Sequence, residues 1–350
     1  MTRTSPELAL NDPTFYTSDR SDTYRLLRDH FPIYWCRTGG FWAISRYEDV
    51  LSVSRDPQTF CNGQGMTMRG GELDDVRGGE TLITTDAPKH TYQRRLVNRS
   101  FSQRAVASLE PRIRGIARGL VDAAPEHTPI DFVSEIAALL PVIVIAELLG
   151  IPTEDQEKFV AWSNCSIGAA DPEYADVRME AMSEMYAYFE SELAGRRFEP
   201  RDDLLTVIAG AEDEGGPDFN HLDAMSLCFL LLAAGNETTR NLVSHSVIAL
   251  SRNPDQLEKL RDGADMQVAV EELLRFTSPV VHMARTVTVE TEICGQALEI
   301  GDQIVMLYGA ANKDERTFGA TAEDLIVDRD PNPHLTFGFG PHFCLGAALA

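Results

Sequence analysis

The spacing of apolar residues changes twice along this 350-residue chain. Ile33–Cys36 and residues 40–45 alternate on either side of a glycine turn, which predicts an N-terminal β-hairpin. From Pro88, a favoured first residue of a helix, the spacing becomes helical. In residues 285–295 and 298–308 the period returns to two. Helices outnumber strands, so the pattern predicts a mainly α fold with small β-sheets.

The longest helical stretch runs over residues 221–254, where Asn220 or Asp223 can cap the start and Asn253-Pro254 ends the helix. At about 1.5 Å per residue it would extend roughly 50 Å, enough to cross a whole domain. We find neither a repeat of fixed period nor a low-complexity segment, so residues 1–350 are interpreted as a single domain. The glycine-rich, aperiodic residues 61–85 predict a long functional loop.

Composition excludes several classes of protein. The formal net charge of -23 disfavours nucleic-acid binding, which requires Lys and Arg against phosphates. The longest apolar runs, Leu139–Leu149 and residues 227–234, are shorter than the ~20 residues of a membrane span. The N-terminus lacks the apolar core of a secretory signal. The six cysteines are scattered without a C-x-x-C pair, so we expect a cytoplasmic protein.

One cysteine stands out, because Cys344 lies in the glycine-rich stretch FGFGPHFCLG at residues 337–346. Glycines let a backbone approach a bulky flat partner and adopt positive φ. The apolar residues LGAALA that follow predict the start of a helix, whose dipole would favour a thiolate. An anionic sulfur is a metal ligand or a nucleophile. On chemistry alone, a turn around a buried thiol explains the stretch equally well.

The pattern of this stretch resembles the heme-binding loop of the cytochrome P450 superfamily, F-x-x-G-x-[HR]-x-C-x-G. The matching positions are Phe337, Gly340, His342, Cys344 and Gly346. The resemblance implies that Cys344 is the axial ligand to the iron of heme b (iron protoporphyrin IX). It also implies the cytochrome P450 fold, with the heme between the long central helix and the cysteine-loop helix. Thiolate ligation favours O–O cleavage.

The segment AAGNETTR, at residues 233–240 of the long helix, resembles the family motif A-G-x-[DE]-T-T. The resemblance implies that Ala234 and Gly235 leave room for O2. It also implies that Glu237 and Thr238 deliver protons there as an acid–alcohol pair. Glu replaces the more frequent Asp and keeps the carboxylate. Without the resemblance, a solvated patch with a packing glycine is the simpler interpretation.

Glu272 and Arg275 form an E-x-x-R pair on one face of a predicted helix. Such a pair is most often a surface ion pair. Its place upstream of the cysteine loop resembles the structural E-x-x-R pair of the family, which implies a buried structural role. Asp324 occupies the position where some relatives carry an Arg or His that joins this pair, so the sequence assigns no third partner.

Cations are expected against the two heme propionates, which favour charged donors. The resemblance supplies four candidates, each otherwise a surface charge: His90, Arg94, Arg285 and His342. A second basic group lies on and after the same helix, at Arg95, Arg99 and Arg104. In the family this side receives an acidic ferredoxin, and opposite charge would speed the encounter. A solvated face is the alternative.

The resemblance implies a monooxygenase that inserts one oxygen atom from O2 into a small apolar substrate of steroid, terpenoid or fatty-acyl type. Electrons would come from NAD(P)H through a ferredoxin reductase and a ferredoxin. The expected pocket lining is residues 61–85, 162–187, 230–234 and 280–283. Two alternatives are a peroxide-using heme-thiolate enzyme, which would lack the acid–alcohol pair, and a non-catalytic heme-binding fragment.

Members of the family continue for some dozens of residues beyond the cysteine loop, whereas this sequence ends at Ala350. The sequence therefore resembles a member that lacks its C-terminal segment. A cut inside a core-packed helix exposes apolar surface, so poor folding and weak heme retention are expected.

Overall fold

A computed structural model describes residues 6–69, 81–167, 175–213 and 219–350. Its helices far outnumber its strands, which form one five-stranded and one two-stranded sheet. The predicted mainly α class is thus confirmed. The chain divides into two compact units. The strand-containing unit comprises Met1–Gly79, Ile83–Asp86 and His245–Cys344, and the helical unit comprises Glu80–Leu82, Ala87–Ser244 and Leu345–Ala350.

The α-helices of the described residues fall in both units. They are α1 Ser21–His30, α2 Tyr47–Arg55, α3 Lys89–Asn98, α4 Gln103–Ala123, α5 Leu139–Leu149, α6 Gln156–Ile167, α7 Ala175–Phe198, α8 Leu204–Asp213, α9 His221–Arg252, α10 Pro254–Arg261, α11 Met266–Thr277, α12 Tyr308–Ala311 and α13 Glu315–Phe318. Short 3-10 turns lie at Pro13–Thr17, Leu82–Thr84, Thr153–Asp155, Gly319–Thr321 and Gly340–His342, and a π-helical turn at Val133–Ala137. None of the described helices has the length and apolarity required to cross a membrane.

The larger sheet has the order β1-β2-β7-β4-β3. Its strands are β1 Ile33–Cys36, β2 Phe41–Ile44, β3 Phe60–Cys61, β4 Met283–Val287 and β7 Gln303–Met306. The predicted hairpin is present, with Tyr34 opposite Ala43 and Gly40 at φ 66° in the turn. β7 runs parallel to β2 and antiparallel to β4. Two clusters of buried apolar side chains, which include Ile44 and Val305, pack against this sheet.

The second sheet is a small hairpin of β5 Thr291–Ile293 and β6 Gln296–Leu298. Gly295 in its turn and Gly301 before β7 have φ of 80° and 93°, a conformation that glycine adopts without strain. Both glycines thus lie at turns of the segment that alternates with period two.

The helical unit has its own core, built from the apolar faces of α5 to α9. Its fully buried side chains include Phe159 of α6, Phe189 of α7, and Leu204 and Leu205 of α8. The apolar run Leu139–Leu149 forms α5, and Gly150 at φ 85° ends it in a left-handed cap. The most apolar stretch of the chain is therefore a core helix, as its length suggests.

The long helix α9 spans 32 residues, and its length is about 48 Å. Both predicted caps act together at its start. The Asn220 backbone N–H donates to Asp223 Oδ2 at 3.0 Å, and the Asp223 N–H donates to Asn220 Oδ1 at 3.2 Å. These two bonds satisfy backbone N–H groups that the first turn leaves without partners.

Two local expectations need correction. Residues 345–349 form a turn and not a helix, with Gly346 O accepting from Leu349 N at 2.8 Å and from Ala350 N at 2.9 Å. A single i→i+4 bond does not repay the entropy of a helix nucleus. The predicted loop 61–85 contains the end of β3 and the turn Leu82–Thr84, and its residues 70–80 lie outside the described residues.

Candidate functional site

The cysteine loop is closed by its own backbone. The Cys344 N–H donates to Phe337 O at 2.8 Å, and the Phe343 N–H donates to Gly340 O at 3.0 Å. Gly338 and Gly340 have φ of 68° and 76°. A Cβ on Gly340 would lie 2.3 Å from Ser54 O of α2, so only glycine fits there. The loop is thus fixed against α2 with Cys344 partly exposed.

Aromatic rings accompany this cysteine. The rings of Phe337 and Phe343 lie 6.2 Å apart, and Arg55 stacks on Phe339 with its guanidinium carbon 4.8 Å from the ring centroid. Because residues 345–349 form only a turn, the structure gives Cys344 no helix dipole. That part of the argument for a thiolate is wrong, and the close backbone and the aromatic surroundings remain.

Arg285 is a buried cation of the strand-containing unit. It lies in the middle of β4, is 5% exposed, and donates from Nη1 to Ala284 O at 2.8 Å. No carboxylate of the described residues lies within salt-bridge distance of it. Burial lowers the pKa of Arg285, although Tyr308 and Asp86 oppose this shift. Asp86 itself accepts from the N–H groups of Asn62 and Gly63 at 2.9 and 2.8 Å.

The other three candidate propionate partners are placed in different surroundings. His342 ends the 3-10 turn Gly340–His342 and is partly buried. His90 and Arg94 lie one turn apart on α3, where His90 is buried and Arg94 is partly exposed. Histidine and arginine side chains here can donate hydrogen bonds to carboxylates. The structure therefore provides Arg285 and His342 in one unit, and His90 and Arg94 in the other.

The acid–alcohol segment lies within the helical unit, in the middle of α9. Thr238 Oγ1 donates to Ala234 O at 2.9 Å, four residues earlier on the helix. Ala234 and Glu237 reach solvent although much of α9 is buried. Neighbouring protein atoms nevertheless desolvate the Glu237 carboxyl and raise its pKa, while Arg240 lowers it. Glu237 thus keeps its proton to a higher pH than an ordinary glutamic acid.

Gly235 closely approaches a neighbouring helix. A Cβ on Gly235 would lie 2.9 Å from Cγ1 of Ile145 on α5. A side chain larger than glycine at position 235 would therefore meet Ile145, and the expected room for O2 stays a prediction. The next residue, Asn236, is fully buried and donates to Ser163 Oγ of α6. Sequence reasoning did not assign a role to this polar contact.

The E-x-x-R pair is buried at the end of α11. Arg275 Nε donates to Glu272 Oε2 at 2.7 Å, and Arg275 Nη2 donates to Oε1 at 2.8 Å, with both side chains 0% exposed. The same guanidinium donates to three backbone carbonyls, those of Asn312, Ala322 and Asp324. All five donors of the guanidinium fork converge on these acceptors.

The third partner of the pair is Arg329, which sequence reasoning missed. Arg329 Nε donates to Glu272 Oε2 at 3.0 Å. Asp324 contributes its backbone carbonyl alone. Asn332 Nδ2 donates to the same Glu272 oxygen at 3.1 Å. Glu272 Oε1 also accepts from the Ile326 N–H at 2.9 Å, three residues before Arg329, and no pattern in the sequence links Arg329 to the pair.

Comparison with known proteins assigns these features to one family. The model of the cytochrome P450 family matches residues 266–350. The chain is 36% identical to cytochrome P450 130 of Mycobacterium tuberculosis, over 93% of this chain and 83% of that protein. The chain belongs to the cytochrome P450 family. It is 34% identical to the linalool 8-monooxygenase of Pseudomonas putida, over 97% of this chain and 88% of that protein.

Solved structures confirm the cytochrome P450 fold. The chain matches a Mycobacterium marinum cytochrome P450 in complex with pseudoionone at a TM-score of 0.88 and 32% identity, covering 99% of this chain and 90% of that one. It also matches CYP109E1 of Bacillus megaterium in complex with testosterone at a TM-score of 0.81 and 32% identity, covering 94% and 85%. This cytochrome P450 is a monooxygenase, an oxidoreductase of the heme-thiolate family whose members bind heme b.

The described residues fit a heme on two grounds. Arg285 is a buried cation, and no carboxylate of the described residues lies within salt-bridge distance of it. A heme propionate would neutralise its charge. The backbone at Gly338 carries no side chain, a Cβ there would meet its nearest atom only at 3.7 Å, and Cys344 is partly exposed, which suits a flat, bulky cofactor. Both observations lie within the strand-containing unit.

The Glu272 network gives a direct prediction. Glu272→Gln leaves the buried guanidinium groups of Arg275 and Arg329 without their anion, so the free energy of unfolding should fall by about 3–5 kcal/mol. Denaturant unfolding followed by circular dichroism measures it. Glu271→Gln is the matched control, because Glu271 is 54% exposed and its carboxylate pairs with His334, at 2.7 Å, among the residues that the structure describes. That control should lose less than about 1 kcal/mol. Equal losses would show that the buried network does not stabilise the fold.

Proposed function

We propose that this monooxygenase inserts one oxygen atom from O2 into a small apolar substrate of steroid, terpenoid or fatty-acyl type. The observation that supports this proposal is that the expected pocket residues within the described chain are uncharged. Residues 230–234 are Leu-Leu-Leu-Ala-Ala. Residues 280–283 are Val-Val-His-Met, and burial lowers the pKa of His282 to about 4, so this histidine is neutral at pH 7. Such a lining favours substrates without charge.

Named relatives support this substrate class. A Mycobacterium tuberculosis relative, 37% identical over 89% of this chain, is a methyl-branched lipid omega-hydroxylase. Another, 35% identical over 99% of this chain, is a steroid C26-monooxygenase. The linalool 8-monooxygenase is named for a third kind of apolar substrate, linalool. Parts of the expected lining at residues 70–80 and 168–174 lie outside the described residues.

Cys344 is proposed as the axial ligand of the heme. A thiolate-ligated heme supplies an electron-rich iron at which O2 is activated and the O–O bond is cleaved. In this proposal the propionates are held by His90, Arg94, Arg285 and His342, and Phe337, Ala234, Gly235 and Gly346 line the cofactor. Arg285 has the best support, because a buried cation is stabilised most by a charge-assisted hydrogen bond.

Glu237 and Thr238 are proposed to deliver protons during O2 activation. The raised pKa of Glu237 keeps its carboxyl protonated further toward neutral pH, which suits a proton donor. The Thr238 hydroxyl donates to Ala234 O, so its oxygen can accept a hydrogen bond. It passes its own proton on only when the hydroxyl turns away from Ala234 O. The presence of this acid–alcohol pair disfavours the peroxide-using alternative.

Electrons are proposed to come from NAD(P)H through a ferredoxin reductase and a ferredoxin. Arg95 on α3, Arg99 at its end and Arg104 on α4 are all exposed, on a chain whose formal net charge is -23. An acidic ferredoxin would be steered to such a local positive patch. We also propose a cytoplasmic location, since all six cysteines are free thiols, as a reducing compartment keeps them.

Removal of the Thr238 hydroxyl tests the proton-delivery role. In Thr238→Ala, the amount of substrate hydroxylated per NAD(P)H should fall severalfold while hydrogen peroxide release rises. The reason is that the lost hydroxyl no longer delivers protons during O2 activation. Product, NAD(P)H and peroxide are measured together with a ferredoxin system and a steroid or linalool substrate. Ser244→Ala is the control, because Ser244 makes the same type of bond to Arg240 O at 2.8 Å on the same helix.

Unchanged coupling in Thr238→Ala would contradict the role of this hydroxyl. Turnover with peroxide alone, and none with the electron-transfer proteins, would support the peroxide-using alternative. Heme binding without product under either supply would support a non-catalytic heme-binding protein.

Arg285→Met tests the propionate contact. The substitution removes a buried cation, so heme transfer to apomyoglobin should become roughly tenfold faster. The heme-free protein should lose no stability, because an unpaired buried guanidinium is itself costly. Arg316→Met is the control, since Arg316 is half exposed and pairs with Asp29 and Asp314. Unchanged heme release in Arg285→Met would contradict the contact.

A further inference from the structure

A small cavity in the strand-containing unit lies away from the cysteine loop in sequence. Its polar lining has no role in the proposed chemistry, although Val281 of the expected substrate-pocket segment 280–283 also lines it. It has a volume of about 90 Å³. Its lining comes from the start of α1, the end of α11 and the segment after α12, and includes Arg20, Tyr24, Phe276, Ser278 and Lys313. A single water needs roughly 10–15 Å³ of such space, so the cavity holds several waters or one small ion.

Two cations line this cavity, and neither is hydrogen-bonded to a carboxylate of the described residues. Arg20 donates from Nη1 to Tyr16 O, and no carboxylate of the described chain lies within salt-bridge distance of it. Lys313 Nζ lies 4.8 Å from the centroid of the Phe276 ring and 3.9 Å from Glu323 Oε2, too far for a hydrogen bond. Glu323 Oε1 instead accepts from Arg28 Nη2 at 2.8 Å.

The third donor is the hydroxyl of Tyr24. Tyr24 is 4% exposed, and its hydroxyl has no acceptor among the described groups, because Arg20 beside it can only donate to the phenol oxygen. Arg20 lies nearby, with its guanidinium carbon 6.0 Å from the Tyr24 ring centroid. A buried hydroxyl without an acceptor costs free energy, and native proteins rarely leave one in that state. Its presence in a polar cavity therefore indicates an acceptor that the chain itself does not supply.

The acidic residue in the lining, Asp19, accepts its hydrogen bonds from Ser21, although its charge also acts on Lys313 and Arg20. Asp19 Oδ1 accepts from the Ser21 N–H at 2.9 Å and from Ser21 Oγ at 2.8 Å, and these bonds lower the pKa of Asp19. The remaining hydroxyl groups donate to the backbone, since Ser278 Oγ bonds Arg275 O at 2.9 Å and Thr277 Oγ1 bonds Leu273 O at 2.8 Å. Arg20, Lys313 and Tyr24 thus remain as donors for a ligand.

The titration of the surrounding groups agrees with this geometry. Burial lowers the pKa of Lys313, Arg20 and Arg275 lower it further, and Glu323 and Asp19 oppose the shift. Burial and Arg20 also lower the pKa of His245 on α9. Cations here disfavour one another, and an anion among them would relieve that repulsion.

We propose that this cavity binds a small phosphate-type oxyanion through Arg20, Lys313 and Tyr24. All three groups donate, and a tetrahedral oxyanion has enough acceptors for each of them. The site stands apart from the heme chemistry, since none of the three residues belongs to the proposed cofactor or proton-delivery sets. The phosphate group can be a free ion or the end of a phosphate monoester, and both share this chemistry.

Isothermal titration calorimetry of the purified chain with inorganic phosphate at constant ionic strength tests the site. We expect one saturable site, about tenfold weaker in Lys313→Met and severalfold weaker in Tyr24→Phe. Lys259→Met is the matched control, because Lys259 is a surface lysine paired with Asp328 at 2.9 Å, and it should bind like wild type. No saturable binding below about 10 mM phosphate, or equal weakening in all three variants, would overturn the proposal.

Thermal melts separate ligand binding from a structural role of Tyr24. Without phosphate, Tyr24→Phe should melt at the wild-type temperature or above it, because the lost hydroxyl has no acceptor. With phosphate, wild type should gain stability and Tyr24→Phe should gain less. A lower melting temperature of the ligand-free variant would show that the hydroxyl is already satisfied, against the proposal. Methyl phosphate serves as the second ligand, and tighter binding than phosphate would identify a monoester as the occupant.

Discussion

The buried Glu272 carboxylate, shared by Arg275 and Arg329, holds together the segment that leads to the cysteine loop. Arg275 binds the carbonyls of Asn312, Ala322 and Asp324, so one guanidinium connects α11 to the chain on both sides of α13. A charge pair without solvent is costly, and this one is stable only because each lone pair and each N–H has a partner. Loss of one member would leave the others buried and unpaired.

A chain of hydrogen bonds continues from the Glu272 network into the cysteine loop. Asn312 is fully buried, accepts from the Leu335 N–H at 2.7 Å, and donates to Ser278 Oγ and Thr336 Oγ1. Thr336 Oγ1 in turn donates to Leu274 O of α11 at 2.9 Å. Phe337, whose carbonyl accepts from the Cys344 N–H, follows directly. The position of the cysteine therefore depends on polar contacts that begin on α11.

The sequence predicted the elements with strong periodicity and missed contacts between distant residues. The hairpin of β1 and β2, the long helix α9 and its two caps follow from local patterns, as does α11. Arg329 lies 57 residues from Glu272, and no spacing rule connects them. The close approach of Gly235 to Ile145 of α5 arises from helix packing, which the motif alone did not indicate. The apolar residues after Cys344 suggested a helix, whereas one i→i+4 bond forms only a turn.

The central claim is that Cys344 binds the iron of a heme as a thiolate, and the difference spectrum of the reduced, carbon-monoxide-bound protein tests it most directly. The account predicts a strongly red-shifted Soret band for the purified chain, and its loss in Cys344→Ser with heme still bound. An ordinary heme-protein band in the wild type, or a red-shifted band that persists in Cys344→Ser, would contradict it.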